Sequence, residues 1–105
     1  MIKLFLTVVL LVPVLVSAEG HTITQEDIKF SVPIKVIEPG DNITFTNKDN
    51  VVHNIVSLTN GFEFDLGIIK PGKSKSVRFA NEEGVVDIEC SVHPEMKMTL
   101  FLFEK

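Results

Sequence analysis

From Glu19 onward, no run of apolar or β-branched residues goes far before a turn signal cuts it. Pro39-Gly40, Asp41-Asn42, Asn60-Gly61, Pro71-Gly72 and Glu83-Gly84 punctuate the chain at close intervals. Short strands broken this regularly predict an all-β sandwich or barrel. The runs place about eight strands, at Ile28–Phe30, Ile34–Ile37, Asn42–Asn47, His53–Ser57, Phe62–Asp65, Ser74–Phe79, Val85–Glu89 and Thr99–Phe103. No segment sustains a helical period, and there are no repeats or linkers. Glu38-Pro39-Gly40 and Lys70-Pro71-Gly72 each place proline and glycine as a type II turn uses them, so two hairpin-like corners are expected there.

Side chains along a strand alternate between faces. Ile43 and Phe45 therefore share one face and Thr44 and Thr46 the other. Val77 and Phe79 face inward, and Val86, Ile88 and Cys90 share a parity, which puts the thiol at the core-facing end of a strand. Thr99–Phe103 is apolar on both parities and reads as covered on both sides.

Residues 1–18 stand apart. Lys3 precedes an almost unbroken apolar run, Leu4 to Val16, and the segment ends in Val16-Ser17-Ala18 before polarity switches at Glu19. That is the layout of a secretory signal peptide cleaved after Ala18, and the run is shorter than a membrane span requires. The remainder, 19–105, makes one small domain. Domains of this size hide only about 60–65% of their unfolded surface and commonly add disulfides or a metal. Cys90 is the only cysteine, so no internal disulfide can form, and a lone cysteine in an exported chain points to intermolecular pairing, a reactive thiol or a metal ligand. The formal net charge is -4 at pH 7 without clustered Lys and Arg, which excludes a nucleic-acid footprint and a polybasic membrane-binding segment.

Cys90-Ser91-Val92-His93-Pro94-Glu95-Met96 gathers a thiolate, an imidazole and a thioether into one tight loop between two strands. A second imidazole, His53, stands at the start of an earlier strand. Two histidines, a cysteine and a weak methionine form the ligand set of a type 1 (blue) copper site, with trigonal His2Cys ligation and a long axial contact.

The ordered stretches Glu38-Pro39-Gly40-Asp41, Ile43 and Phe45, Asn47-Lys48-Asp49, His53-Asn54, Lys70-Pro71-Gly72 and Cys90-Ser91-Val92-His93-Pro94-Glu95-Met96 resemble the cupredoxins, close to their amicyanin, pseudoazurin and plastocyanin branch. The resemblance covers essentially all of 19–105. It implies an eight-stranded Greek-key sandwich holding one copper ion near one end. It also implies that His53, Cys90 and His93 are ligands, that His93 passes the electron, and that Asn54 ties its strand to the cysteine loop. Met96 and Met98 each match one family spacing for the axial ligand. Met96 is preferred, because His93-Pro94-Glu95-Met96 resembles the short amicyanin-type loop and Met98 shares strand parity with Leu100 and Leu102, as a core residue should. Many relatives carry an aromatic residue two positions before the cysteine, where this chain has Ile88.

These features imply a monomeric one-electron carrier, periplasmic or secreted, meeting redox partner proteins such as a cytochrome or a dehydrogenase. Copper storage or delivery with the same ligands is the alternative, and a metal-free interaction module is a more distant rival. An enzyme is not expected, since no spare histidine cluster exists for a substrate-binding metal. Glu19-Gly20-His21 would, after cleavage, offer an amine, two amides and an imidazole to a square-planar ion, although short motifs of this kind arise by chance. Asn42-Ile43-Thr44 fits a glycosylation sequon but falls in a strand, and Lys70, Lys73 and Lys75 read as a solvated face.

Overall fold

The computed structural model describes Thr7 and residues 18–104; the signal peptide expected over 1–18 lies outside the described residues except for Thr7 and Ala18. Nine strands are present among the described residues: β1 (Gly20–Glu26), β2 (Lys29–Phe30), β3 (Ile34–Ile37), β4 (Asn42–Asn47), β5 (His53–Ser57), β6 (Phe64–Ile69), β7 (Ser74–Arg78), β8 (Gly84–Glu89) and β9 (Lys97–Leu102). They form a four-stranded sheet in the order β2-β1-β4-β7 and a five-stranded sheet in the order β3-β9-β8-β5-β6. The architecture is all-β, and the non-sequential strand orders fit a Greek-key sandwich.

Alternation sets the faces as the sequence requires. Ile43 and Phe45 on β4 are fully buried, as are Val86, Ile88 and Cys90 along β8 and beyond, and Leu100 and Leu102 on β9. They meet Ile23, Ile37, Ile55 and Ile69 in one core, with Phe30 packed edge-on to Phe45 at 6.2 Å. Phe79 is buried and Val77 packs partly against this core.

The two Pro-Gly turns are type II, each closed by a hydrogen bond from the fourth residue to the first (Asp41 N to Glu38 O, 3.1 Å; Lys73 N to Lys70 O, 3.0 Å). Gly40 (φ 87°) and Gly72 (φ 76°) supply the left-handed residue that such a turn demands. They are not hairpin corners. The first carries the chain from β3 to β4 and the second from β6 to β7, and each pair lies in different sheets. The reversal is local, but the emerging strand finds its hydrogen-bonding partner in the other sheet.

Three strand expectations are also corrected. β1 lies where the sequence predicts none, because its inward positions include His21 and Gln25, and buried polar side chains break the apolar alternation that marks a strand. Gln25 is completely buried, its Nε2 reaching Asn54 O at 3.4 Å. Strand β6 begins at Phe64 and runs to Ile69, later than the predicted Phe62–Asp65. The final strand is covered on one face only: Phe101 is half-buried and stacks on Phe103, which is exposed. On that outer face the half-covered aromatic pair supplies what the sequence shows as a second apolar parity.

Candidate metal centre

One end of the sandwich brings together β5, the Cys90–Met96 loop and the loop before His53. His53 opens β5 and is fully buried, Cys90 follows β8 and is fully buried, and His93 is half-buried in the loop. Their donor atoms form a triangle: His53 Nδ1 to His93 Nδ1 is 3.1 Å, Cys90 Sγ to His53 Nδ1 is 3.7 Å, and Cys90 Sγ to His93 Nδ1 is 4.0 Å. The two rings meet edge to face at 68°, and the ligand atoms of His53, Cys90 and His93 all lie within 4.8 Å of one another. Three ligands in a trigonal plane, with bonds of about 2.05 Å to nitrogen and about 2.3 Å to sulfur, span about 3.5 Å between nitrogens and about 3.8 Å from nitrogen to sulfur. Each observed edge lies within a few tenths of an ångström of that triangle, so the residues fit a His2Cys metal ion.

The loop geometry follows from its hydrogen bonds. His93 N donates to Cys90 O at 3.2 Å and Met96 N to His93 O at 2.9 Å, curling the chain so that Cys90 N reaches Met96 O at 3.1 Å. Cys90 and Met96 thereby stand opposite each other, one step beyond the Glu89–Lys97 pair of the β8–β9 ladder. Residues opposite in an antiparallel ladder carry Cβ atoms about 4.5–5.5 Å apart on the same face. Met96 is buried there, whereas Met98, also buried, pairs with Ile88 deeper in the sandwich.

Asn54 clamps the cysteine loop. Its side chain donates to Ser91 Oγ at 2.6 Å and accepts from Ser91 N at 2.8 Å, while its main-chain N–H points at Cys90 Sγ at 3.4 Å. That N–H stabilises negative charge on the sulfur, and groups of this kind tune a metal site.

The sequence gives Asp49 no role, and the structure assigns it one. Its Oδ2 lies 2.8 Å from His53 Nε2. A carboxylate only accepts, so Nε2 carries the proton and Nδ1 is left to face Cys90 and His93. Burial raises the Asp49 carboxyl, but hydrogen bonds from His53 and from the Ile28 and Asp27 amides outweigh that and hold it below its ordinary value. Those two amides come from the β1–β2 hairpin, where Asp27 (φ 56°) and Ile28 (φ 55°) are both left-handed. A β-branched residue in that region is strained. Both N–H groups point into Asp49, at 2.7 and 3.0 Å, making a small anion nest whose bonds offset the strain. Asn47 fixes the same loop, donating to Val51 O and Ile69 O and accepting from Asp49 N. The usable signal in the sequence was an acidic residue shortly before a candidate ligand histidine.

A second donor cluster lies at the other end of β1 and β4, where Glu19, His21 and Asp41 approach one another. His21 Nε2 pairs with Asp41 Oδ2 at 2.9 Å. Strand β1 holds Gly20 and His21 extended against Asn42 and Ile43, so their amides do not wrap toward the imidazole as the square-planar motif would need.

The fold and this donor triangle define a small β-sandwich metal-binding protein with the cysteine and two histidines at one pole. The chain belongs to the plastocyanin/azurin family of copper-binding proteins, whose sequence profile matches residues 18–102, and copper is its metal. It is 29% identical over 87 residues to the methylamine utilization protein MauL of Methylophilus methylotrophus, matching 81% of this chain and 50% of that protein. The chain thus spans about half the length of that curated relative. A reduced single-substitution mutant of amicyanin superposes with a TM-score of 0.74 at 21% identity, covering 80% of this chain and 82% of that one. A purple cupredoxin from Nitrosopumilus maritimus gives 0.69 at 25% identity, covering 79% and 99%. The copper-containing nitrite reductase of Thermus scotoductus gives 0.74 at 21% identity, but this chain corresponds to only 23% of it.

Proposed function

We propose that this protein is an exported one-electron carrier in which His53, Cys90 and His93 would hold the copper, with Met96 as a weaker fourth ligand. The observation that carries the ligand assignment is the triangle of donor atoms, with Met96 placed opposite Cys90 by the ladder register. Bound there, copper supplies a one-electron couple between Cu(II) and Cu(I). The protein's part is to keep the donors still. Asp49 fixes the ring of His53, Asn54 fixes the loop of Cys90, and the sandwich beneath is closely packed, so each transfer demands little rearrangement.

His93 is the exit. It is half-buried, whereas His53 and Cys90 are sealed from solvent. The residues that precede the two histidines, Val51, Val52 and Val92, are exposed apolar side chains. They supply a small dry rim for brief encounters, since weak redox complexes bury little area. The partner in this reading is a redox protein, a cytochrome or a dehydrogenase, met by a monomer. Export rests on the leader-like residues 1–18, and the compartment is the periplasm or its equivalent. No substrate is transformed on the chain itself, so it is not an enzyme.

The test measures electron self-exchange by NMR line broadening in mixtures of oxidised and reduced protein, alongside loss of Cu(I) to a competing chelator. Fast exchange with slow loss is expected. Slow exchange with ready surrender of Cu(I) would replace the carrier by a copper-delivery protein.

A further inference from the structure

Asp41 is a buried carboxylate, 3% exposed, at the pole opposite the copper ligands. Its Oδ1 accepts from the main-chain nitrogen of Glu19 at 3.0 Å, and its Oδ2 accepts from Glu38 N at 3.0 Å and faces His21 Nε2 at 2.9 Å. Among the described residues no lysine or arginine pairs with it. A buried carboxylate is costly unless paired and fully hydrogen-bonded. Burial raises its carboxyl, but the His21 hydrogen bond, the Glu38 and Glu19 amides and the charge of His21 outweigh that and hold it below its ordinary value, so it is anionic.

Among the described residues, the nitrogen aimed at Oδ1 belongs to the first that pairs with the sandwich. Glu19 O accepts from Asn42 N at 3.0 Å, extending the β1–β4 pairing by one residue, while Ala18 before it is exposed. Independently, the sequence places a leader-peptide cleavage point at the Ala18–Glu19 bond. Two unrelated observations therefore meet on one atom.

We infer that Asp41 is a built receptor for a free α-ammonium group at Glu19, and that hydrolysis of the Ala18–Glu19 bond completes the fold. This rests on residues 1–18 being a leader. In that step a peptidase adds water across the peptide bond. The C–N bond breaks, Ala18 leaves as a carboxylate, and the Glu19 nitrogen becomes a protonated amine. The nitrogen need not move: the amide N–H···O bond becomes a charge-assisted ammonium–carboxylate bond, which is shorter and about twice as strong. Removing Ala18 costs no packing because it is exposed. The buried anion gains a full positive partner, and the first strand is pinned to the Pro39-Gly40 turn. Processing and stability of the four-stranded sheet are coupled through this one contact.

The experiment has two arms. The full chain, exported from a bacterial host, is first analysed by intact mass and N-terminal sequencing, with Glu19 expected as the first residue. A different terminus overturns the inference and leaves export intact, whereas an uncleaved chain overturns both. In the second arm, forms beginning at Glu19 and at Ala18, and a Glu19 form with its amine acetylated, are compared by urea unfolding. The free-amine Glu19 form is expected to have an unfolding constant roughly tenfold lower than the other two, about 1.4 kcal/mol by the conversion between equilibrium constant and free energy. In Asp41→Asn, forms beginning at Glu19 and at Ala18 are expected to differ less than about twofold, as a pairwise cycle requires. Equal stability of the three wild-type forms overturns the inference while leaving export intact, and acetylation makes that comparison without any substitution that could itself prevent folding.

Discussion

Replacing Asn54 by alanine removes both side-chain bonds to Ser91 and leaves the main-chain contact to Cys90 Sγ in place. A neutral hydrogen bond contributes about 1 kcal/mol net, so the pair is worth about 2 kcal/mol. No further penalty accrues, because Ser91 is exposed and water takes over its freed N–H and hydroxyl. In a domain of this size each kcal/mol moves the melting temperature about 4–8 °C, so the copper-free variant ought to melt about 10 °C below the parent. Copper-loaded Asn54→Ala keeps an intense visible band, since every proposed ligand is intact. Differential scanning calorimetry of the copper-free form and an absorption spectrum of the loaded one read the two effects separately. A melting shift below about 2 °C would refute the clamp, and loss of the band with stability preserved would make Asn54 part of the copper-holding machinery itself.

Four further substitutions test neighbouring parts of the site and the opposite pole. Met98→Leu leaves the visible spectrum nearly unchanged, whereas Met96→Leu shifts it; the reverse pattern moves the axial ligand to Met98. Asp49→Asn frees the His53 ring and weakens copper binding about 10- to 100-fold, the range for loss of a partner to a metal-bound histidine, and unchanged affinity in a competition titration contradicts that role. Folding holds Asp41 below its ordinary 3.8. Its contribution is therefore present above that pH and fades as pH falls through the lower folded value, so Asp41→Asn flattens the acid limb of a stability–pH curve; parallel acid limbs for parent and variant exclude the effect.

The parts of this molecule that were legible from residues alone are those governed by local rules. Period-two alternation identified the buried faces of β4 and β8, and Pro-Gly chemistry identified both type II turns. Local rules do not say which sheet a strand joins, and so the turns at Gly40 and Gly72 read as hairpins when they carry the chain between sheets. Strand β1 was hidden because Gln25 and His21 occupy inward positions, with Gln25 Nε2 bonded to Asn54 O and His21 Nε2 to Asp41 Oδ2, distant partners that no window of sequence reveals. At the candidate metal centre, His53, Cys90, His93 and Met96 could be proposed as ligands because three of them crowd one loop in an unusual chemical combination. Asp49 could not, because its role depends on the two left-handed amides of Asp27 and Ile28, brought to it by a hairpin more than twenty positions earlier.

The most direct measurement is the visible absorption and electron paramagnetic resonance spectrum of the purified protein with one equivalent of Cu(II), using Cys90→Ser as control. An intense thiolate-to-copper charge-transfer band with narrow hyperfine splitting, absent from the control, is the result expected of a trigonal His2Cys centre. A folded, reduced protein that shows no such band, or a control that keeps it, would contradict the assignment of Cys90 as the thiolate ligand.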